Sequence, residues 1–244
     1  MNIDSGIIFP KKGKGSPELG PLAVVAGTET DFSLLRVLLE FAADDYRKLF
    51  TSHLHFSDRP AGGICLCGPL VGAPYAVMVL ENLIAWGAEK IIFLGWCGSI
   101  SHKVNIGDIV VATSALIDEG TSGHYRHAEN GQTFPSERLT NRLVAELNNS
   151  QTKFHSGPIW TTDAIYRETQ RKVKTYQRRN ALAVEMEISA LFTVATYRGV
   201  DIGAMAVVSD ELASFKWRAG FKTQEFKRGR RAACEVIKAL CQKM

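Results

Sequence analysis

The sequence has no CxxC pair and no Cys/His grouping at metal-ligand spacing, although it contains five cysteines, Cys65, Cys67, Cys97, Cys234 and Cys241. A zinc ribbon and a thioredoxin-like redox pair are thereby excluded. Four of the five sit in apolar runs, as free buried thiols in a reducing compartment do, so a cytoplasmic protein is expected. No apolar run approaches the roughly 18 residues that cross a bilayer, and the N-terminus lacks a signal-peptide pattern. Charge of one sign is scarce too: 29 Lys and Arg against 25 Asp and Glu leave +4. That is too mild and too scattered for a nucleic-acid surface, although the C-terminal end is locally basic. No GxGxxG follows the first apolar run, which argues against a dinucleotide-binding dehydrogenase. Internal repeats and low-complexity tracts are also lacking.

What remains is an ordinary soluble composition, 45% hydrophobic and 22% charged over 244 residues, suited to one α/β domain. Residues 1–20, with four glycines, Pro10, Pro17 and three lysines, read as a flexible polar arm; residues 21–244 read as the domain. The central stretch runs from Leu182 to Leu212. It reads as a strand end, a helix, a turn at Gly199 and a second buried strand that ends in Ser209-Asp210. Three carboxylates, Glu185, Glu187 and Asp210, stand in or beside these apolar runs. Burying a carboxylate without partners costs several kcal/mol, so acids kept at such edges point to a site.

Along the chain, LAVVAG (22–27) reads as a buried strand, with a helix starting among the capping types Thr28 to Asp31. GGICLCG (62–68) reads as a strand, GPLVGAP (68–74) as a glycine loop, and Tyr75 to Trp86 as a helix closed by Gly87. KIIFLGWCGSI (90–100) is an almost continuous apolar strand, and 104–117 is strand-like around a Gly107-Asp108 turn. Residues 118–135 read as a loop, Ser136 to Asn148 as an exposed helix, and 157–166 as strand and turn. The basic run Arg167 to Arg179 reads as a solvated helix face, or as a lid or anion contact. From Thr223 onward an apolar stripe of Phe226, Ala233, Val236, Ile237 and Leu240 marks a covering helix. Buried strands alternating with helices predict a sheet covered on both faces, with ligands at the carboxyl ends of its strands. Gly27, Gly68 to Pro74, Gly95 to Gly98 and Asp210 all fall at such ends.

The glycine loop with its helix, the strand running into GWCG, the VNIGD turn, VEMEISAL and VVSDEL occur in an order and spacing that resemble the nucleoside phosphorylase and nucleosidase superfamily. This is the branch with bacterial purine nucleoside phosphorylase, uridine phosphorylase and methylthioadenosine/S-adenosylhomocysteine nucleosidase. The resemblance covers about residues 22–240 and implies a three-layer α/β/α fold on a twisted mixed sheet. It implies cleavage of a nucleoside's N-glycosidic bond, no cofactor, and a homo-oligomer, dimer or hexamer. Phosphate would enter as a co-substrate, and neither nucleic acid nor membrane is implied as a partner. Carried over by position, Glu187 would take the ribose hydroxyls, Met186 would pack on the sugar, and Glu185 begins the same element. Asp210 would be the general acid on the base. Ile165 takes the place of a base-covering aromatic, and Gly27, Gly72 and Gly95 would line the sugar or anion side.

The phosphate-binding places depart from that pattern. Thr30-Asp31, Phe93 and Trp96 stand where the phosphorylases have two arginines and a hydroxyl. Arg47 or Arg171 could bring a cation from elsewhere. The nucleosidases hold their water with a glutamate in the first turn, for which Glu29 and Asp31 flank the matching Thr30. Gln170-Arg171 echoes the uracil-reading pair of uridine phosphorylase only in part, and Asp210 favours purines. Neighbouring subunits would complete the pocket from the loops around Arg47 or His124. The lean is toward water as nucleophile. The alternative is a non-catalytic binder that holds an aromatic ligand with Trp96 and Phe93.

Overall fold

The computed structural model describes residues 6–57, 63–125 and 129–244. In chain order its elements are β1 (Leu22–Ala26), α1 (Glu29–Leu38), β2 (Arg47–Leu49), β3 (Ser52–Phe56), β4 (Ile64–Gly68), α2 (Ala73–Ala85) and β5 (Lys90–Ser99). There follow β6 (Ile109–Asp118), β7 (Gln132–Thr133), α3 (Glu137–Asn149), β8 (Phe154–Thr162), α4 (Gln170–Arg178) and β9 (Ala183–Glu185). The chain ends with α5 (Ile188–Arg198), β10 (Asp201–Glu211), β11 (Arg218–Ala219) and α6 (Gln224–Cys241).

Among the described residues the strands form one mixed sheet, ordered β11-β10-β6-β8-β9-β5-β1-β4-β3-β2, with β7 on β6. β5 also pairs with β10, so β5, β10, β6, β8 and β9 close a ring. Closure removes the free edges that such strands would expose. β1, β5 and β10 run parallel, and β9 pairs antiparallel with the carboxyl end of β5 at Gly98 and Ser99.

Alternation along β5 divides the core. Ile91, Phe93 and Cys97 face α2 and α5, whereas Ile92, Leu94 and Trp96 face α1 and α6. The stripe on α6 is buried as its spacing requires: Phe226, Ala233, Val236, Ile237 and Leu240 all lie in the core on the α1 side. Each large apolar side chain buried this way contributes roughly 1.5–3 kcal/mol. Helices on both faces of a mixed sheet give the three-layer architecture. In α4 only Val173 and Tyr176 are buried, and Tyr176 stacks on Trp160 at 4.3 Å. The rest of that basic helix faces solvent, as its charge pattern implies. All five cysteines are buried and free.

Three elements differ from the sequence-based expectation. β2 and β3 form a hairpin beside β4 where no strand is expected, because His53 and His55 interrupt the apolar pattern. The expected loop over 118–135 contributes β7 at its end. Residues 62 and 126–128 lie outside the described residues. Residues 6–20 hold no helix or strand and lie on their own chain: Trp86 donates its indole N–H to Lys11 O, and the Leu19 amide donates to Trp86 O. No helix among the described residues is long and apolar enough to cross a membrane.

Candidate active site

The carboxyl ends of β1, β5 and β10 open into a cleft of about 220 Å³. Its walls hold Gly27, Gly95, Trp96, Ile165, Glu185, Met186, Glu187 and Asp210, which the sequence had singled out. They also hold Gly98 from the expected Gly95 to Gly98 turn, Thr28 and Ser209, which had been read only as a helix start and a strand end, and Glu168 and Phe221, which had not been read as site residues. Glu168 was masked as the one acid in the basic run 167–179, and Phe221 carried no pattern of its own. A larger groove of about 600 Å³ lies elsewhere, against His102, Lys103 and Gln177. It contains no acid and none of the expected site residues.

Glu185 ends β9 and is buried. Its Oε2 accepts from the amides of Glu187 and Ile188, at 2.6 and 2.7 Å, and Thr161 donates to Oε1. A carboxylate here satisfies amides that the start of α5 would leave orphaned, and it complements the helix dipole. Burial pushes its pKa up, the nearby Glu187 adds to this, and the three hydrogen bonds pull it back. Glu185 therefore anchors the turn that presents Glu187.

Glu187 is fixed from the other side of the cleft by Gly72, whose amide donates to Oε1 at 2.5 Å. Gly72 has φ +79°, a conformation costly for other residues, and it precedes α2. It acts through Glu187 and does not line the cleft. Burial raises the Glu187 pKa and the Gly72 amide opposes this.

Asp210 is aimed by an irregularity in β10, where the register against β5 slips between Val208 and Asp210. Gly98 faces it. A β-carbon there would lie 2.6 Å from Leu212 and 3.0 Å from Asp210 Oδ2, so a larger residue would push both side chains aside. Ser209 donates to Asp210 Oδ1 at 2.6 Å and Trp217 Nε1 donates to Oδ2 at 2.9 Å. Burial, then the charge of Asp210, pushes the neighbouring Glu168 up to about 7, while Lys172 opposes.

Two expected residues are placed elsewhere. Phe93 is wholly buried, with its ring packed beneath Gly27 and Gly95, because strand alternation turns it away from Trp96. Glu29 is exposed on the first turn of α1 and accepts from Ser33 at 3.0 Å. The helix starts with Thr28 as its cap, and that phase turns Asp31 inward instead. Asp31 is fully buried; Trp96 Nε1 donates to it at 2.5 Å and Arg230 Nε at 2.7 Å, with Thr28 Oγ1 at 3.2 Å. Arg230 also lies over the Trp96 ring at 5.2 Å. Neither acid of the first turn offers a free oxygen to the cleft. Arg47 sits on the β2 edge, bonded to Gly15 O, and Arg171 is exposed on α4; neither lines the cleft.

The model of the phosphorylase superfamily matches residues 21–244. Guanosine phosphorylase of Halorubrum lacusprofundi is 33% identical over 151 residues, 62% of this chain and 62% of that protein. The match thus spans less than two thirds of that relative's length. In structure the chain is similar to uridine phosphorylase from Vibrio fischeri ES114, with TM-score 0.78 and 20% identity, covering 98% of this chain and 100% of that one. It is also similar to 5′-methylthioadenosine/S-adenosylhomocysteine nucleosidase from Helicobacter pylori, with TM-score 0.74, 16% identity and coverage of 93% and 99%. At such identities these two establish the fold alone. From Pro21 to the C-terminus, the chain belongs to the phosphorylase superfamily.

Proposed function

We propose that the chain cleaves the N-glycosidic bond of a purine-type nucleoside in nucleoside catabolism or salvage, with water as the attacking group. The lining of the cleft carries this reading: four carboxylates, Glu168, Glu185, Glu187 and Asp210, and no Lys or Arg among the described residues. The reaction builds positive charge on the sugar, which an ionised carboxylate on these walls stabilises. Orthophosphate finds no cation on these walls, and any wall acid that is ionised repels it: two like charges 4 Å apart repel by about 4 kcal/mol at an effective dielectric near 20. Among the described residues Arg230, over the Trp96 ring, is already paired with Asp31.

In this scheme Glu187 accepts from the ribose hydroxyls and Met186 packs on the sugar. Ile165 and Phe221 flank the base, and a carboxyl group at the base end, where Asp210 stands, protonates its nitrogen. The C1′–N bond breaks and its electron pair leaves with the base. A water oxygen bonds to C1′, and its proton passes to an ionised carboxylate of the cleft. A cleft of about 220 Å³ is below the ~300–1,000 Å³ of pockets that enclose small ligands, so one edge of the nucleoside stays at the mouth. Buried free thiols suit the reducing cytoplasm.

Phosphorolysis is the second reading, favoured by the similarity to guanosine phosphorylase. It needs a cation from outside the cleft, such as a second copy of the chain in a dimer or hexamer would bring. A pure binding role loses Phe93, which is in the core, and would rest on Trp96 and Phe221 as its aromatic walls. A panel of nucleosides assayed for free base, with and without phosphate, separates these readings. Release without phosphate supports water, release only with phosphate supports phosphorolysis, and no release supports binding.

A further inference from the structure

The proton donor of this site is open to a sharper assignment. In the arrangement around Asp210, an indole N–H meets Oδ2 and the Ser209 hydroxyl meets Oδ1. Both oxygens of Asp210 are thus already engaged by donors of its own chain. Glu168 differs. It lines the same cleft, yet its carboxyl group takes no hydrogen bond or ion pair from the described residues. Lys172, the cation one turn further on, is taken up by Asp118 at 2.7 Å. The side chain of Glu168 is thus left to the cleft.

Building on the glycosidic cleavage proposed above, we propose that Glu168 is the residue that hands its proton to the departing base, with Asp210 holding a negative charge beside it. The O–H bond of Glu168 breaks as an N–H bond forms on the base, and the electron pair of the C1′–N bond moves into the base ring. Glu168 is left as a carboxylate and regains a proton from solvent before the next turnover. The groups around it suit this task. Asp210 on β10 faces it, Lys172 on α4 opposes weakly because it is bound to Asp118, and Glu185 and Glu187 line the same cleft. Burial and the charge of Asp210 push Glu168 up to about 7, so near neutrality the acid form is well populated. Its position in a basic, otherwise solvated run hides this role in the sequence.

The test compares Glu168→Gln with the unaltered protein on two substrates. One is a purine nucleoside, whose base leaves well only when protonated. The other is 4-nitrophenyl β-D-riboside, whose leaving group departs as a stable anion. For the nucleoside, kcat/KM is expected to fall at least about 100-fold, the size of a lost general acid. The loss of activity above pH 7 should disappear with it. For the nitrophenyl riboside the change should stay within about threefold, which also shows that the variant is folded. Equal losses on both substrates, or no loss on the nucleoside, overturn the assignment. So does finding the selective loss in Asp210→Asn instead. If the unaltered protein cleaves neither substrate, glycosidic cleavage itself fails, and the donor assignment with it.

Discussion

The amide of Gly72 donates to Glu187 Oε1 at 2.5 Å, joining the turn before α2 to the turn before α5. The two residues should therefore fail together. Hydrogen bonds to a charged group are worth about 1.5–3 kcal/mol, so Glu187→Gln should cost roughly 10- to 100-fold in kcat/KM on ribonucleosides. It should also erase the preference for a ribonucleoside over its 2′-deoxy form. Gly72→Ala, strained by about 1–2 kcal/mol at φ +79°, should shift that preference in the same direction. Steady-state kinetics on the two sugars measure this; an unchanged ratio in Glu187→Gln removes it from the sugar.

Arg230 and Asp31 form a buried pair under Trp96, with Asp31 fully enclosed. Arg230→Ala would leave that carboxylate without its counter-charge. A loss of about 3–5 kcal/mol in unfolding free energy is expected. The exposed neighbour Arg231 pairs with Glu235 on the surface, and its replacement should stay within about 0.5 kcal/mol. Urea unfolding of both variants is the check, and equal small losses would mean that the Asp31 pair contributes little.

The fold was legible where one physical pattern decided it. β1, β5 and β10 are continuous apolar runs, and α6 has a one-sided stripe; each formed as its pattern requires. The cleft residues on VEME and SD were legible because acids at the ends of apolar strands have few other uses. Phe93 was not, because which side of β5 faces the cleft depends on the neighbouring strands and on the helices that cover each face. Glu29 failed on helix phase: the Thr28 cap fixed which acid turned inward. Glu168 required the turn between β8 and α4 to fold over the ring mouth, a long-range event that local charge pattern conceals.

Asp210→Ala should reduce turnover of purine nucleosides at least about tenfold at pH 7.5. Removing that negative charge makes Glu168 easier to ionise, so part of the lost activity should return as the pH is lowered. A pH profile of kcat in the variant measures both effects. A loss smaller than tenfold removes Asp210 from the base end, and a loss indifferent to pH separates it from Glu168.

Stability should carry the mark of the same acids. Burial raises Glu168, Glu185 and Glu187 above the ordinary carboxylate range, so the folded chain keeps protons that the unfolded chain releases above about pH 4.5. Their favourable contribution is complete below that value and is lost as pH rises through the folded pKa, about 7 for Glu168. His55, lowered by burial, acts in the opposite sense, but mostly below pH 6.5. The thermal midpoint should fall from pH 6.5 to pH 8.5, and Glu168→Gln with Glu187→Gln should flatten that slope. A midpoint that rises across this range contradicts the burial of these acids in protonated form.

The most direct measurement is release of free base from a purine nucleoside, in buffer freed of phosphate and again with phosphate added. A cleft walled by four carboxylates and no described cation predicts release at the same rate in both, with ribose as the second product. Release that begins only when phosphate is added, with ribose 1-phosphate as the second product, would contradict it.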